Sequence, residues 1–385
     1  MKLQKIVIAI DSFKGCLTSA EAGKAVAQGV QAACPGCETL VLPVADGGEG
    51  MLDVLLAATD GKRIALRAHD PLMRLRDTCY GISGDGRTAF IEMAAISGLP
   101  LLSSAERNPM KTTTFGTGEL IRDALERGCR RFLIGLGGSA TNDAGLGMLQ
   151  ALGFRFFDKE GREVGSTEEG RALCGALLPQ ICSIDIASAH PALKEARFTA
   201  ACDVRNPFFG PQGAAVIFAP QKGADKEMVR ELDTAMRQLA AIVLRTTGKD
   251  ISTYPGAGAA GGMGGSLHAF LDAPLKPGIE WLLEATDFAE KIKGADLLLT
   301  GEGKSDRQTV MGKVPWGILQ EARKQHIPVI LLAGAIEDTA ILNEAGFRGI
   351  FSITPSPIPL EQAMQPEMAQ ENLRQTAEQI CRILS

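Results

Sequence analysis

The sequence predicts an α/β protein with a doubly wound parallel β-sheet and a second α/β domain inserted into the first. Two observations lead to this fold class. Short apolar runs recur along the chain, and each is followed by small or acidic residues and then by a helical pattern. That order is typical of parallel strands joined by crossover helices. Between these units the chain changes to turns, alternating segments and a long glycine tract, which predicts the inserted domain.

The predicted strands are the apolar runs, and several of them precede a segment suited to a crossover helix. The strands cover residues 6–10, 38–44, 132–134, 295–300, 328–332 and 349–353. The helices cover about 19–33, 51–58, 146–152 and 360–383. Ser19 has Ala22 where a capping box needs Glu or Gln, so we expect Ser19 to cap its helix alone.

These strands are assigned to one discontinuous domain of residues 1–65, 105–150 and 286–385. Residues 66–104 and 151–285 are assigned to the second α/β domain, with a cleft between the two domains. In doubly wound sheets, ligands bind beyond the carboxyl ends of the strands. Because those ends carry acidic and glycine-rich residues here, the pattern predicts a binding cleft assembled from distant segments.

Composition excludes several functional classes. The chain of 385 residues has a net charge of −5 and no long basic run, which argues against nucleic acid as the main partner. No stretch approaches the roughly 18 apolar residues of a membrane span, and the strand-like start leaves no room for an export signal. The 9 scattered cysteines fit a reducing compartment. We therefore expect a cytoplasmic protein without membrane contact that acts on small molecules, while its oligomeric state stays open.

A glycine-rich turn at residues 135–145 is the most informative motif. Its sequence is Gly-Leu-Gly-Gly-Ser-Ala-Thr-Asn-Asp-Ala-Gly, and it joins a predicted strand to a predicted helix. Unpaired N–H groups at a helix start attract anions, most often phosphate. The same turn matches the G-x-G-x-x-A fingerprint of dinucleotide-binding folds, with Asp158 near the place of the ribose-binding acid. A purely structural turn is the third interpretation that the pattern allows.

Phosphoryl transfer needs cations and N–H groups on the phosphates, a carboxylate on Mg²⁺, and a carboxylate that orients the attacking hydroxyl. The strand ends supply each kind of group, although the Gly-Lys-Ser sequence at 303–305 lacks the earlier glycine of a P-loop. The candidate cations are Lys14 and Lys304, the candidate carboxylates are Asp11, Asp46, Glu49, Asp203, Glu302 and Asp306, and the candidate phosphate or ribose contacts are Ser139, Thr141 and Asn142. Asp203 could bind a metal or start a turn, and Lys222 could bind an anion or close a loop.

Together these motifs resemble the bacterial glycerate kinase family. The blocks that carry the resemblance occur in order along nearly the whole chain, at residues 11–15 (Asp-Ser-Phe-Lys-Gly), 43–50 (Pro-Val-Ala-Asp-Gly-Gly-Glu-Gly), 135–143, 201–207, 220–224, 256–264 and 300–306. The resemblance implies an ATP-dependent kinase that acts on glycerate with Mg²⁺. It also implies a Rossmann-like domain together with a second α/β domain.

With this resemblance the candidate residues receive expected roles. ATP phosphates are expected on Gly137, Gly138, Ser139, Thr141 and Asn142, glycerate on Ser12, Lys14 and Lys304, and Mg²⁺ on Asp203. Asp306 is the first choice for accepting the proton of the reacting hydroxyl and Asp46 the second, while Lys14 counters the repulsion between two anionic substrates.

The expected reaction phosphorylates D-glycerate to 2-phospho-D-glycerate in glycolate and sugar-acid breakdown. The preference for the 2-hydroxyl follows from the resemblance to the branch that forms the 2-phosphate. Two alternatives remain open at this point. One is a glycerate 3-kinase that forms 3-phosphoglycerate, and the other is an NAD(P)-dependent dehydrogenase.

Overall fold

The computed structural model describes residues 3–45, 50–165, 172–354 and 356–384. The chain forms two compact units. The first unit consists of Met1–Val54 and Ile279–Ser385, and the second unit consists of Leu55–Gly278. None of the helices in the described ranges is long and apolar enough to cross a membrane.

The strands are β1 (Lys5–Ile10), β2 (Glu38–Val41), β3 (Lys62–His69), β4 (Leu75–Ile82), β5 (Thr88–Glu92), β6 (Arg131–Gly135), β7 (Arg155–Phe157), β8 (Ser183–Asp185), β9 (Arg197–Ala201), β10 (Leu275–Lys276), β11 (Leu297–Ser305), β12 (Val329–Ile336) and β13 (Gly349–Ser352). The α-helices are α1 (Ser19–Ala33), α2 (Met51–Ala58), α3 (Ala94–Ser97), α4 (Phe115–Glu126), α5 (Leu146–Ala151), α6 (Ala214–Phe218), α7 (Lys226–Thr247), α8 (Met263–Leu271), α9 (Gly278–Ala285), α10 (Phe288–Lys291), α11 (Val314–Lys324), α12 (Thr339–Ala345), α13 (Leu360–Ala363) and α14 (Pro366–Leu384). Short 3-10 helices cover Leu99–Leu101, Gly175–Gln180, Pro191–Lys194, Pro220–Lys222, Ala259–Gly262 and Thr309–Met311.

The first unit is built on a five-stranded sheet in the order β13-β12-β11-β1-β2, in which all neighbouring strands are parallel. One face packs Ile6, Ile8 and Ile10 against α1 and α14. Helix α11, whose buried residues are not part of that cluster, contacts β1, β11 and β12, so helices cover both faces. The predicted doubly wound parallel sheet is confirmed. Counted along this unit from the β2 edge, the strand order is 2-1-3-4-5, for which ligands bind between the first and third strands, here β1 and β11.

Helix α1 has the predicted bounds but a different cap. The side chain of Thr18 accepts a hydrogen bond from the Glu21 N–H, and the Glu21 carboxylate accepts one from the Thr18 N–H, so the two residues form a capping box. Ser19, which was expected to cap alone, donates instead to the Ile10 carbonyl at 2.6 Å and accepts from the Val44 N–H at 2.9 Å. Ser19 therefore links the carboxyl end of β1 to the segment that follows β2.

The C-terminal helix is interrupted, whereas the sequence predicts one continuous helix over 360–383. Helix α13 ends at Ala363, and α14 begins at Pro366. Proline has no N–H group to donate within a helix and fits the first helical position, so it separates the two segments. Helix α14 then packs closely on α1, because a Cβ atom on Gly29 would lie 2.1 Å from the carbonyl oxygen of Arg374.

The second unit is built on a six-stranded sheet in the order β10-β9-β6-β5-β4-β3. Strands β10, β9, β6 and β5 are parallel, and the hairpin of β3 and β4 adds two antiparallel strands at one edge. The predicted domain division is wrong at residues 105–150, because β6 pairs with β5 and β9 in this sheet rather than with the strands of the first unit. Residues 55–65 also belong to this unit, since β3 begins at Lys62.

Candidate active site

The glycine-rich turn follows β6 in the second unit, and its first residues face solvent. Gly137 and Gly138 are exposed, and Gly138 has a φ of +74°, which favours glycine. In the part of the chain that the structure describes, the N–H groups of Gly137, Gly138 and Ser139 have no hydrogen-bond acceptor. Successive backbone N–H groups in a turn can bind an anion. The exposed part of the turn therefore keeps the donors that a phosphate needs.

The start of α5 does not supply such donors, which differs from the sequence-based expectation. The N–H groups of Gly145 and Gly147 donate to the Asp143 carboxylate at 3.1 and 3.2 Å. The N–H group of Met148 donates to the Thr114 hydroxyl at 2.9 Å. Because these groups are satisfied inside the fold, an anion at this site depends on the turn and not on the helix start.

Asp143 is a buried carboxylate that organises the turn. It also accepts hydrogen bonds from the N–H group and the hydroxyl of Thr114, at 2.8 and 2.7 Å. Burial raises the pKa of Asp143, and the hydrogen bonds from Thr114, Gly145 and Gly147 oppose that rise. Asp143 precedes α5 and lies outside its first helical turn.

Thr141 and Asn142 lie on the buried side of the turn. Both side chains are fully buried, and Nδ2 of Asn142 donates to Sδ of Met236 at 3.2 Å. Thr141 Oγ1 and Asn142 Oδ1 have no hydrogen-bond partner in the described structure. Of the five predicted phosphate contacts, Gly137 and Gly138 are thus exposed, Ser139 is 8% exposed, and the other two face the interior.

The glycine tract at 256–265 supports the turn from behind. Every residue of this tract is buried, and a Cβ atom on Gly261 would lie 2.1 Å from the Thr141 carbonyl oxygen. The carbonyl oxygen of Gly261 accepts a hydrogen bond from the Ala144 N–H at 3.0 Å. These contacts give the tract a packing role, in which glycine permits the close approach.

Lys222 connects a distant segment to the same turn. It ends the 3-10 helix Pro220–Lys222 and is 1% exposed. Its Nζ donates to Ser139 Oγ at 2.7 Å and to the Thr141 carbonyl oxygen at 2.6 Å. Burial lowers the pKa of Lys222 to about 7, whereas the Asp143 carboxylate acts to raise it.

Asp203, the predicted Mg²⁺ ligand, follows the end of β9 in the second unit. Its side chain is exposed, and Oδ1 accepts a hydrogen bond from the Gly278 N–H at 3.0 Å. No group of three or more Asp, Glu, His or Cys side chains suited to a metal ion occurs among the described residues. Mg²⁺ often keeps several waters and takes one or two carboxylates besides substrate phosphates, so an exposed carboxylate such as Asp203 fits that ion.

In the first unit, two buried carboxylates lie at the carboxyl ends of the central strands. Ile10 of β1 is in register with Gly301 of β11, and Asp11 continues the pairing by donating its N–H to the Gly301 carbonyl at 2.9 Å. Asp11 and Glu302, the next residues along the two strands, are both buried. They lie at the point between β1 and β11 where the strand order of this sheet predicts ligand binding.

Glu302 is surrounded by polar groups. Oε1 accepts hydrogen bonds from the hydroxyls of Ser305, at 3.0 Å, and of Thr309. The Lys313 Nζ lies 3.6 Å from Oε2. Burial raises the pKa of Glu302, and the Thr309 hydrogen bond, the charge of Lys313 and the Ser305 hydrogen bond oppose that rise. Glu302 is therefore a positioned carboxylate, and the sequence identified it only as one candidate among several.

Ser12 and Lys14 lie in a tight turn after β1. Phe13 and Leu17 exchange backbone hydrogen bonds of 2.9 Å across this turn, and Gly15 within it has a φ of +74°. The Lys14 side chain is exposed, and Ser12 is half-buried. The turn thus presents a cation beside the carboxyl end of β1.

Lys304 and Asp306 lie at the end of β11. Lys304 Nζ is 2.9 Å from Glu337 Oε1 and 4.0 Å from Asp306 Oδ2, so its charge is shared with a carboxylate that the sequence did not single out. Asp306 Oδ1 accepts the Gln308 N–H at 2.8 Å, and its side chain is 19% exposed. Asp46 and Glu49, the other candidate carboxylates, lie outside the described residues.

A family comparison matches residues 6–385 to the glycerate kinase family. The chain belongs to the glycerate kinase family. The resemblance inferred from the motifs is therefore confirmed, and so is the prediction that the protein is a kinase.

Relatives of known name match along almost their full length. The glycerate kinase of Bacillus subtilis is 45% identical over 377 residues, which are 98% of this chain and 96% of that protein. The glycerate 2-kinase of Escherichia coli is 44% identical over 362 residues, which are 94% of this chain and 93% of that protein. A crystal structure assigned as glycerate kinase 2 of Salmonella typhimurium LT2 superposes with a TM-score of 0.87 at 43% identity, covering 99% of this chain and 98% of that one.

In this glycerate kinase family member, Asp158 is not placed to bind a ribose, as the dinucleotide interpretation of the glycine turn requires. Asp158 follows β7 of a separate two-stranded antiparallel sheet. Its Oδ1 accepts the N–H groups of Glu160 and Arg162, each at 2.9 Å, and its Oδ2 accepts from the Arg162 guanidinium at 2.8 Å. A carboxylate that closes its own local turn in this way is not placed as the acid that follows the second strand of a dinucleotide fold.

Proposed function

We propose that this glycerate kinase family member transfers a phosphoryl group from ATP to the 2-hydroxyl of D-glycerate and releases 2-phospho-D-glycerate. The observation that carries the proposal is the 44% identity over 362 residues to the glycerate 2-kinase of Escherichia coli. The described residues include the groups that phosphoryl transfer requires, namely unpaired N–H donors in the second unit, exposed cations in the first unit and positioned carboxylates.

In this proposal the ATP phosphates bind at Gly137, Gly138 and Ser139. Their N–H groups have no acceptor in the described part of the fold, and two of the three residues are exposed. The sequence also predicts Thr141 and Asn142 as contacts. Their side chains are buried, so in this proposal they support the phosphate site from the interior side of the turn. A phosphate here would accept hydrogen bonds that cost no reorganisation of the backbone.

D-Glycerate is proposed to bind at Ser12, Lys14 and Lys304. There the positive charges of the two lysine side chains would attract the substrate carboxylate. Asp306 is the proposed acceptor of the hydroxyl proton, and Asp46 is the second candidate for this role. Asp306 Oδ1 already accepts the Gln308 N–H, which fixes the carboxylate, and Oδ2 lies 4.0 Å from the Lys304 Nζ, beyond hydrogen-bond distance. A fixed carboxylate is what general-base catalysis requires.

Asp203 is the proposed residue for holding Mg²⁺. When bound, the ion would neutralise charge that develops on the transferring phosphates. The residue contributes a negative charge at the end of β9, held in place by the Gly278 N–H. Its role can be tested separately from that of Asp306, because the two residues belong to different units.

The function is tested by incubating the purified protein with ATP, Mg²⁺ and D-glycerate and coupling ADP release to NADH oxidation. In a second reaction, enolase is added to the products without a phosphoglycerate mutase. Formation of phosphoenolpyruvate would establish the 2-phosphate. ADP release without phosphoenolpyruvate would establish a glycerate 3-kinase, and the absence of ADP release would contradict the kinase proposal.

Replacing Gly137 with Ala tests the phosphate turn. A Cβ atom at this position meets no atom within 4 Å in the fold, so we expect unchanged stability. A phosphate hydrogen-bonded to the Gly137 N–H would meet that methyl group, and we expect the KM for ATP to rise about tenfold or more. Steady-state kinetics at varied ATP measures the change.

Gly36→Ala is the matched control for this substitution, because its added Cβ also meets no atom within 4 Å and Gly36 lies in the first unit, outside the proposed site. We expect its kinetics to equal those of the unmodified protein. An unchanged KM for ATP in Gly137→Ala would remove this residue from the phosphate site.

A further inference from the structure

Lys222 is a buried cation without an ion-pair partner in the described structure. Its Nζ is held by two uncharged acceptors, Ser139 Oγ at 2.7 Å and the Thr141 carbonyl at 2.6 Å. No carboxylate of the described residues forms an ion pair with it. Taking an unpaired ammonium out of water costs several kcal/mol, so buried lysines are usually paired or neutral.

Among the described residues, few charged or titratable groups lie around Lys222. On the turn, Asp143 acts on Lys222 through its charge, but Thr114 and two backbone N–H groups already occupy its carboxylate. The backbone of Arg107 lies against Gly223, the residue after Lys222. The negative charge of Asp143 contributes to a raised pKa of the Cys174 thiol. Arg107 cannot compensate the Lys222 charge, because it carries the same sign. Burial lowers the pKa of Lys222 to about 7, so much of its population is neutral above that pH.

The hydrogen bond from Lys222 also sets the direction of the Ser139 hydroxyl. An amine in its charged form has donors only, so Ser139 Oγ accepts from Lys222 and its own O–H remains able to donate. In the described structure no acceptor takes that O–H. Ser139 follows the two exposed glycines of the turn, whose N–H groups are also unpaired. All these donors suit an anion at one place.

We propose that Lys222 is a positioning residue of the donor-phosphate site and that it takes up a proton when phosphate binds to the Gly137–Ser139 turn. This inference rests on the proposed function, in which the phosphates of ATP occupy that turn. Among the described residues, only the Asp143 carboxylate acts on Lys222 with a negative charge, and the bound anion adds a further one. The neutral amine then accepts one proton from the buffer and becomes an ammonium that donates to Ser139 Oγ and the Thr141 carbonyl.

The coupling has a definite sign. The bound anion stabilises the charged form and raises the pKa of Lys222 above its value of about 7 in the free protein. Between these two pKa values, binding takes up a proton and affinity falls as the pH rises. The limit for a single proton is about tenfold loss of affinity per pH unit. Below the lower pKa, Lys222 is charged in both states and the effect of pH disappears.

The test is calorimetric titration of the full-length protein with the Mg²⁺ complex of a non-hydrolysable β,γ-imido analogue of ATP. At about pH 8 most of the amine is neutral, and the analogue is largely deprotonated. Titrations in buffers of different ionisation enthalpy give the number of protons taken up. We expect a net uptake approaching one proton by the unmodified protein and a loss of affinity as the pH rises.

Two variants test whether Lys222 is the group that takes up the proton. Lys222→Arg keeps the charge permanently, so we expect proton uptake and the pH dependence of affinity to disappear while binding persists. Lys226→Arg, an exposed lysine of α7, is the control and should behave like the unmodified protein. Proton uptake that persists in Lys222→Arg would overturn the inference.

The unmodified protein alone also decides the inference if a variant fails to fold. Analogue binding without proton uptake and without a pH dependence of affinity would overturn the inference and leave the proposed function intact. Binding of D-glycerate without any binding of the analogue would overturn the proposed function and, with it, the inference.

Discussion

Replacing Asp306 with Asn is expected to lower turnover by about 10²-fold or more while the KM for ATP stays nearly unchanged. A positioned general base contributes an effect of that size, and its loss appears in kcat because the proton moves only during the chemical step. The amide oxygen of Asn can still accept the Gln308 N–H that Asp306 Oδ1 accepts at 2.8 Å. The local fold after β11 should therefore be preserved. Steady-state kinetics with varied ATP and varied D-glycerate measures both parameters.

The control for this experiment is Asp287→Asn. Asp287 is exposed, lies before α10 in the same unit, and has a φ of +50°, a conformation that Asn also tolerates. We expect its turnover to match that of the unmodified protein. Near-normal turnover in Asp306→Asn would exclude Asp306 as the base. The buried Glu302 would then be the next carboxylate to replace, because it is held by Ser305 and Thr309 at the end of the same strand.

The sequence predicted the five strands of the first unit and its first helix because their signals are local. Helix α1 has the predicted bounds, and β1 begins one residue before its predicted apolar run. Periodicity and strand-flanking residues are contained in short windows of the chain. Strand β11 continues to Ser305, beyond the predicted end at residue 300, because the Gly-Glu-Gly segment still pairs with β12. Glycine in that segment permits the close approach of the neighbouring strand, since a Cβ on Gly301 would lie 2.4 Å from the Leu332 carbonyl.

The assignment of β6 to a domain required information that a local pattern does not contain. An apolar run of this type predicts a buried strand, but its neighbours are decided by pairing between distant segments. In the structure β6 lies between β5 and β9, and this places the glycine turn in the second unit. The chain order of the predicted strands gave no indication that β6 belongs to the sheet of the second unit.

The glycine turn was found from the sequence, but its supporting residues were not. The pattern identified the glycines next to Ser139, and the structure adds that Gly137 and Gly138 are exposed. It could not show that Asp143 takes the N–H groups at the start of α5 or that Lys222 reaches the turn from 83 residues away. The only available signal was the Pro-Gln-Lys-Gly segment, whose lysine is equally compatible with an exposed loop.

The largest expected loss of stability follows the replacement of Asp143 with Ala. The carboxylate accepts four hydrogen bonds, two from Thr114 and one each from the Gly145 and Gly147 N–H groups. Alanine would leave these buried donors unpaired and would remove the negative charge that acts on Lys222. We expect the free energy of unfolding of the second unit to fall by about 3 kcal/mol or more.

Urea unfolding, monitored by circular dichroism and by tryptophan fluorescence, tests this prediction and distinguishes the two units. The chain has 2 tryptophans, Trp281 and Trp316, and both lie in the first unit. Fluorescence therefore follows that unit, and we expect Asp143→Ala to shift the circular dichroism transition more than the fluorescence transition.

Asp250→Ala is the matched control, because Asp250 is an exposed acid of the second unit whose Oδ1 accepts the Ser252 N–H. Removing this exposed contact with Ser252 should cost about 1 kcal/mol or less. If Asp143→Ala were no less stable than Asp250→Ala, the Asp143 carboxylate would not hold the turn, and the donors around it would have to be satisfied by water that enters the space left by the side chain.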